Sequence, residues 1–378
     1  MSEIVRWKPL AALRIGWPLY ATGLMLSLLG IITINTFGIG ASVAPRQVLW
    51  LVIASVAFVM FATIDMRFIR RTPIIVSGYV VVALLLAALL VVGHATLGAK
   101  SWFNFGFFSF QPADPAKIIL IALLAKYFSR RHQEIGYFWH VIVSAAYAGA
   151  LVLLILLEPD LGMSVIFMSI WFGMILVSGI PKKHLAIVIV VGLVAATGLW
   201  FGGLHAYQRT RILEFVNPAA DIHGAGYNAY QAVVATGSGQ IWGKGIGYGT
   251  QSKLRFLPEY DTDFILAAFA EEWGFVGVVL VLLLYGLLLF QLLALSRRMS
   301  TNFDALFTIG VVILFLASIT VHVGINLGLL PVTGTTVPFM SSGGSHLLVE
   351  FALLGIVTSL AQYGRSVPRE EALAEYEG

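Results

Sequence analysis

Cysteine is absent from the 378 residues, so no disulfide forms and no thiolate can hold a metal. Charge is scarce as well. Only 11% of the residues are Asp, Glu, Lys or Arg, while 59% are hydrophobic; a soluble domain carries roughly 25% charged residues. The mean hydropathy is +0.90. A soluble globular fold is excluded by that balance, and most of the surface must face lipid. Zinc-site spacing is lacking too, because the eight histidines include no pair at helical i, i+3 or i+4 spacing and no HExxH. The net charge of +4 and the pI of 9.2 come without an aromatic-basic patch or a nucleic-acid reader motif. The basic residues read instead as loop anchors of a membrane protein. No cleaved signal peptide is evident, since the first apolar run, residues 15–36, is too long for one and reads as a retained span.

What is present is a series of apolar runs of the length a bilayer core demands, ~20 residues each. They lie near residues 15–36, 47–64, 73–93, 114–129, 138–157, 161–179, 184–202, 264–295, 305–329 and 346–363. The expected fold is an all-α polytopic membrane protein with ten transmembrane helices and one domain over 1–378. With both termini in the cytoplasm, the inner connections hold Arg6, Lys8, Arg14, Arg67, Arg70, Arg71, Lys126, Arg130, Arg131, Lys182, Lys183, Arg297, Arg298, Arg365 and Arg369. The outer side keeps Arg46, Lys100, Lys117, Arg209, Arg211, Lys244, Lys253 and Arg255, mostly in one long loop, which counts little in this rule. That loop, residues 203–263 between helices 7 and 8, is too long and too aromatic for a plain linker. Its segment "YNAYQAVVAT" is expected to form a short amphipathic helix, and residues 365–378 a cytoplasmic tail.

The unusual polar groups gather on the outer side. Ionisable groups at membrane depth are functional candidates by default. Asp114 and Lys117 in "FQPADPAKIIL" share a helix face, either as a structural ion pair or as a lysine that meets a phosphate. Asp160 in "LLEPDLGM" is a helix cap or, with Glu158, a cation or arginine partner. Arg209 and Arg211 suit phosphate oxygens or lipid headgroups. The series "GKGIGYG" lacks the Lys-Ser/Thr ending of a phosphate loop and a strand before it. Ser341 and Ser342 read as turn residues rather than nucleophiles. Five of the 19 acids, Glu259, Asp261, Asp263, Glu271 and Glu272, crowd into "LRFLPEYDTDFILAAFAEEWG". Thr262 is the expected cap of helix 8, with Asp263 in its first turn, either complementing the helix dipole or accepting a proton from an alcohol at a cavity mouth. Glu259 and Asp261 would tune that base or hold a cation, and Glu271 and Glu272 lie deeper in the helix.

The chain resembles the SEDS proteins, polytopic peptidoglycan glycosyltransferases. The resemblance rests on "GAKSWFNFGFFSFQPADPAK", "EPDLGMSVIF", the long segment from "YQRTRILEF" to "LPEYDTDF", "AEEWGFVG" and "GLLPVTGTTVPFMSSGGSHLL", in family order from about residue 15 to 364. It implies ten transmembrane helices and polymerisation of lipid II on the outer face of the cytoplasmic membrane, with the elongation type fitting better than the division type. Asp263 matches the essential aspartate and is expected to act as general base. Asp114, Lys117 and Asp160 match the family's charged positions, and Arg209, Arg211, Glu259 and Lys253 join them as expected substrate-binding groups. Mg2+ or Mn2+ would accompany the pyrophosphate, with no organic cofactor. A class B penicillin-binding protein and the elongation machinery are the implied partners, besides membrane lipid and the undecaprenyl-pyrophosphate-linked glycan; nucleic acid is not one. The chain departs from the family pattern at Ala113–Asp114, usually Ser-Glu, at Asp261, often His, and at Ser342 and His346, where Tyr-Gly-Gly-Ser-Ser is usual. A lipid flippase or a non-catalytic scaffold is the rival reading. A flippase would show inverted repeats and midplane charges, and no repeat is evident.

Overall fold

The computed structural model describes residues 9–36, 43–92, 101–104, 106, 109–131, 137–216, 226–254 and 256–364. Arg6, Lys8, Lys100, Arg255, Arg365, Arg369, the side chain of Arg14 and the tail expected over 365–378 lie outside the described residues.

The described chain is almost entirely helical. Helices α1 (Pro9–Thr36), α2 (Val43–Thr63), α3 (Thr72–Val92), α4 (Ala113–Arg130), α5 (Phe138–Leu157), α6 (Leu161–Val177) and α7 (Lys182–Gly198) come first. A two-stranded antiparallel hairpin, β1 (Phe103–Asn104) with β2 (Ser109–Phe110), precedes α4. Then follow α8 (Ala206–Val216), α9 (Tyr227–Ser238), α10 (Thr250–Lys253), α11 (Ile265–Ser296), α12 (Asn302–Asn326) and α13 (Gly344–Gly364). A helix stands at each of the ten expected positions. Eight are long and apolar enough to cross a membrane. Of the other two, α6 is an apolar helix of only 17 residues, and α4 carries Asp114, Lys117, Lys126 and Arg130.

In hydrocarbon, helices gain nothing by burying leucine against one another, so association rests on close packing through small residues. Gly355 of α13 lets the backbone of α2 approach until a methyl group on it would lie 2.7 Å from the Phe58 carbonyl. Gly30 of α1 does the same against Met340, at 2.3 Å. The centre of the bundle is α13, packed on α2 and α1, with Phe339 edge-on to Phe351 at 5.3 Å. Its span is 89% buried, whereas Lys182–Gly203, which is α7 and the π-helical turn that prolongs it, is 0% buried. The opposite end of the bundle is tied by ion pairs: Arg70 to Asp304 at the head of α12, and Arg67 to Asp65 at 2.7 Å.

The long connection between α7 and α11 is more ordered than its sequence suggested. The expected amphipathic helix is α9, and α8 and α10 flank it. Helix α11 also differs from the single long helix expected. Gly274 sits at φ 66°, ψ −169°, and breaks it into an upper piece, residues 265–273, and a lower piece, residues 275–296. The lower piece alone runs about 33 Å at 1.5 Å per residue, the thickness of a bilayer core. The glycine series mends the break. Lys244 and Gly245 donate backbone N–H groups to the carbonyls of Glu271 and Glu272, and Phe275 and Val276 donate to Gln240 and Ile241, all within 2.8–3.1 Å. These four bonds re-pair backbone groups freed by the kink, which a membrane interior favours. Only glycine fits the junction, because a Cβ on Gly274 would lie 2.2 Å from the Gly243 nitrogen, and one on Gly243 2.1 Å from the Glu272 carbonyl.

Candidate active site

Glu271 and Glu272 belong to this splice and not to a cavity. Glu271 Oε1 accepts from Lys244 Nζ at 2.6 Å and from the Thr250 backbone at 2.8 Å, which caps α10. Glu272 accepts from Thr36 Oγ1 at 2.9 Å and from Gly247 N–H at 2.8 Å, which ties α1 to the glycine series. Both carboxylates are buried and serve the fold.

Asp263 lies elsewhere, on the wall of a cavity of ≈ 500 Å³ at the end of the bundle. Helix α11 starts at Ile265, so Asp263 is in the turn before the helix and not in its first turn. Thr262, the expected cap, instead donates its hydroxyl to Glu259 Oε2 at 3.1 Å. The turn is built by Glu259, which adopts a left-handed φ of 50° and accepts from Phe264 N–H at 3.0 Å.

Three neighbours hold the turn. Asn326, at the end of α12, donates to the Asp263 carbonyl at 3.0 Å and accepts from Ala267 N–H at 2.9 Å. Ser341 donates to the Thr262 carbonyl at 2.8 Å. Ser342 donates twice to Asp261, from its hydroxyl to Oδ2 at 2.8 Å and from its N–H to the carbonyl at 2.7 Å. Two of the chain's departures from the family pattern, Asp261 and Ser342, are therefore bonded to each other. Gly334 faces the carboxylate and owes its glycine to the backbone, at φ 73°; a Cβ there would lie 3.6 Å from Asp263 Oδ2, an ordinary contact.

The electrostatics of the turn suit a base. Burial pushes the Asp263 carboxyl from 3.8 up to about 7; Glu259 pushes it the same way, Arg211 opposes, and Asp160 and Asp261 raise it further. A carboxyl with a pKa near the working pH is the tuned state of a general base. Across the cavity, Asp160 caps α6 by accepting from Met163 N–H at 2.9 Å and accepts from Gln111 Nε2 at 3.4 Å. Its carboxyl is raised, chiefly by burial. Glu158, just behind it, is pushed to about 8 by burial and by Asp160, and so stays protonated at neutral pH.

The cavity brings together Asp263, Glu259, Asp160 and Arg211 of the expected site residues. It does not bring in the rest. Asp114 and Lys117 form a buried ion pair at 2.8 Å behind the wall, with Ser345 donating to Asp114 at 2.8 Å; the Lys117 charge reaches Asp160. Arg209 points to the Phe201 carbonyl at 3.2 Å and is not among the lining residues. Lys253 is exposed on α10, also away from the lining. Sequence reasoning missed Asn326 and Gln208. Gln208 is buried and bridges His205 N–H and the Pro159 carbonyl. The signal for Asn326 was an amide at the end of an apolar helix, where an unpaired polar group is costly. Apolar groups from α7 and the π-helical turn after it, Ala196 and Leu199, complete the wall beside these charges.

Among the described residues no three His, Asp or Glu side chains come together as a metal cage. The donor set therefore does not fit a cation held by protein alone. Mg2+ commonly takes one or two carboxylates plus substrate phosphates, and Asp160 would be such a carboxylate.

The comparisons agree with this architecture. The family model described as Cell cycle protein, covering FtsW, RodA and SpoVE, matches residues 12–366. The peptidoglycan glycosyltransferase MrdB of Escherichia coli K12 is 32% identical over 287 residues, covering 75% of this chain and 76% of that one. The probable peptidoglycan glycosyltransferase FtsW of Saccharophagus degradans is 32% identical over 357 residues, covering 91% and 92%. A chain of a solved peptidoglycan synthase complex, described for its coordination of polymerization and crosslinking, superposes with a TM-score of 0.79 at 30% identity, covering 93% of this chain and 98% of that one. The crystal structure of Thermus thermophilus RodA gives a TM-score of 0.69 at 30% identity, with the same coverage. With the match extending over almost its whole length, the chain belongs to the SEDS family of FtsW, RodA and SpoVE proteins.

Proposed function

We propose that this peptidoglycan glycosyltransferase polymerises lipid II into β-1,4 glycan strands, with Asp263 as general base. Peptidoglycan glycosyltransferase is the activity for which the MrdB and FtsW relatives are named. The observation that carries the finer reading is a carboxyl with a pKa near 7 on the wall of a cavity that is charged on one side and apolar on the other. In this reading the 4-hydroxyl of the incoming GlcNAc gives its proton to Asp263 as the oxygen attacks the anomeric carbon of the lipid-linked glycan. The bond to the pyrophosphate breaks, undecaprenyl pyrophosphate leaves with the electron pair, and the α-linkage becomes β. Arg211 faces the departing charge. Asp160, with Lys117 behind it, holds the opposite wall. A divalent cation would arrive on the pyrophosphate. The apolar wall from α7 admits the polyprenyl chains.

The basic connections between helices support cytoplasmic termini and an outward-facing cavity in the cytoplasmic membrane. We assign the chain to elongation and rod shape on the wording of its long loop; its likeness to MrdB and RodA is matched by one to FtsW. The likeness to a synthase complex that couples polymerization and crosslinking supports a class B penicillin-binding protein as partner. The test is reconstitution of the chain with that partner and labelled lipid II. Glycan strands form with the wild type and fail with Asp263→Asn; strands of normal yield from the variant sink the assignment, and lipid II translocation without polymer makes the chain a flippase. Rescue of a strain lacking its elongation polymerase, and not of one lacking its division polymerase, checks the elongation role.

A further inference from the structure

A second cavity of ≈ 430 Å³ lies beside the first. The two share a wall made of Trp102 and Ser342. Volumes of this size hold small-molecule ligands. Its remaining walls come from the start of α2, the β1–β2 hairpin and the segment leading into α13, including Arg46, Gln47, Trp50 and Asn104.

The lining chemistry differs from that of the catalytic cavity. Among the described residues no carboxylate lines it, and Arg46 is the one cation in its lining. A pyrophosphate would call for more positive charge. Two indoles, an amide donor and hydroxyls form the usual surface for a neutral sugar ring, which presents C–H groups to an aromatic face and hydroxyls to the rim. The site is also built. The Trp50 ring lies flat against the backbone of Gly344, where a Cβ would come within 2.0 Å of it. Gln47 is buried and fixes the floor, donating to the Ser341 carbonyl at 3.2 Å and accepting from Gly343 N–H at 3.1 Å. Asn104 accepts from Ser109 across the hairpin through Oδ1, which leaves its NH2 as the donor it offers a ligand.

We infer that this second cavity is a carbohydrate-binding groove that holds sugar rings of the growing glycan while its lipid-linked end is in the Asp263 cavity. The inference rests on the reading of Asp263 as the base of a glycan polymerase. A polymerase that keeps hold of its product between additions makes longer strands, so the groove governs strand length.

The test uses the full chain with its transpeptidase partner, and a lipid-free GlcNAc–MurNAc tetrasaccharide as probe. Arg46→Ala and Asn104→Ala alter exposed side chains outside the catalytic cavity. The tetrasaccharide binds wild type and Asp263→Asn equally, and binds each groove variant roughly tenfold more weakly, the loss of about one good hydrogen bond. Strands made by the groove variants are shorter, with the first glycosidic bond formed at the wild-type rate. Unchanged binding and unchanged strand length in both variants overturn the inference. So does displacement of the tetrasaccharide by undecaprenyl phosphate in detergent, which would make the groove a lipid site. Normal polymerisation by Asp263→Asn would overturn the catalytic reading instead, and leaves the binding result to stand by itself.

Discussion

The rate of polymerisation should follow the ionisation of Asp263. Its carboxyl is displaced from 3.8 to about 7, a bias of about 4 kcal/mol against the charged form. The active fraction is then about one half at pH 7 and about a tenth at pH 6, with a plateau from about pH 8. Two substitutions move this limb in opposite directions. Arg211→Gln removes the cation that favours the carboxylate, so the limb moves to higher pH. Glu259→Gln removes the neighbouring charge that opposes it, so the limb moves lower. Asp263→Asn loses ~10²–10⁴ in rate on the plateau above about pH 8 and flattens the limb below it. The assay is initial polymerisation of labelled lipid II between pH 5 and 9 at saturating substrate, in proteoliposomes of neutral lipid so that surface charge does not shift the profile. A wild-type limb near pH 4, or limbs that stay fixed in both variants, would refute the reasoning.

The same displacement bears on stability. The folded chain keeps the Asp263 proton up to about pH 7, while the unfolded carboxyl releases it near 3.8. The site therefore weakens the fold progressively as pH rises between those values, and fully above 7. Asp263→Asn should raise the melting temperature at pH 8 and leave it nearly unchanged at pH 4. Asp261→Asn should lower the pH limb, because Asp261 also raises the Asp263 carboxyl, while Ser342→Ala should lower kcat with little change in KM, and Ser342→Thr should restore it. Gly274→Ala should prevent recovery of a monodisperse protein by size exclusion. Its methyl group would meet backbone and break the four splice hydrogen bonds, at about 1 kcal/mol each plus the orphaned carbonyls. Glu271→Ala should lower the melting temperature more than Glu271→Gln, which keeps an acceptor for Thr250 and Gln251 N–H.

Spans were legible in the sequence because a hydrocarbon solvent imposes one rule, about 20 apolar residues per crossing. The same rule hid the break in α11. A glycine in an apolar run is common in membrane helices, and nothing local says that Gly243, thirty-one residues earlier, fills the kink. Composition likewise placed the carboxylates in one stretch without saying which way each turns. Glu271 and Glu272 were separable from Asp263 only through their partners Lys244 and Thr36. For Arg209 and Arg211, two residues apart on α8, the helix directs one to the Phe201 carbonyl and the other to the cavity.

The break at Gly274 also isolates the chemistry from the bilayer mechanically. A continuous helix of 32 residues would act as a lever, tilting with every change in lipid thickness and carrying Asp263 with it. With the helix divided, a tilt of the lower piece is taken up at the splice, while the upper piece stays fastened to α9 and to Asn326. Polymerisation should therefore tolerate lipids of differing acyl length better than an unbroken helix would allow.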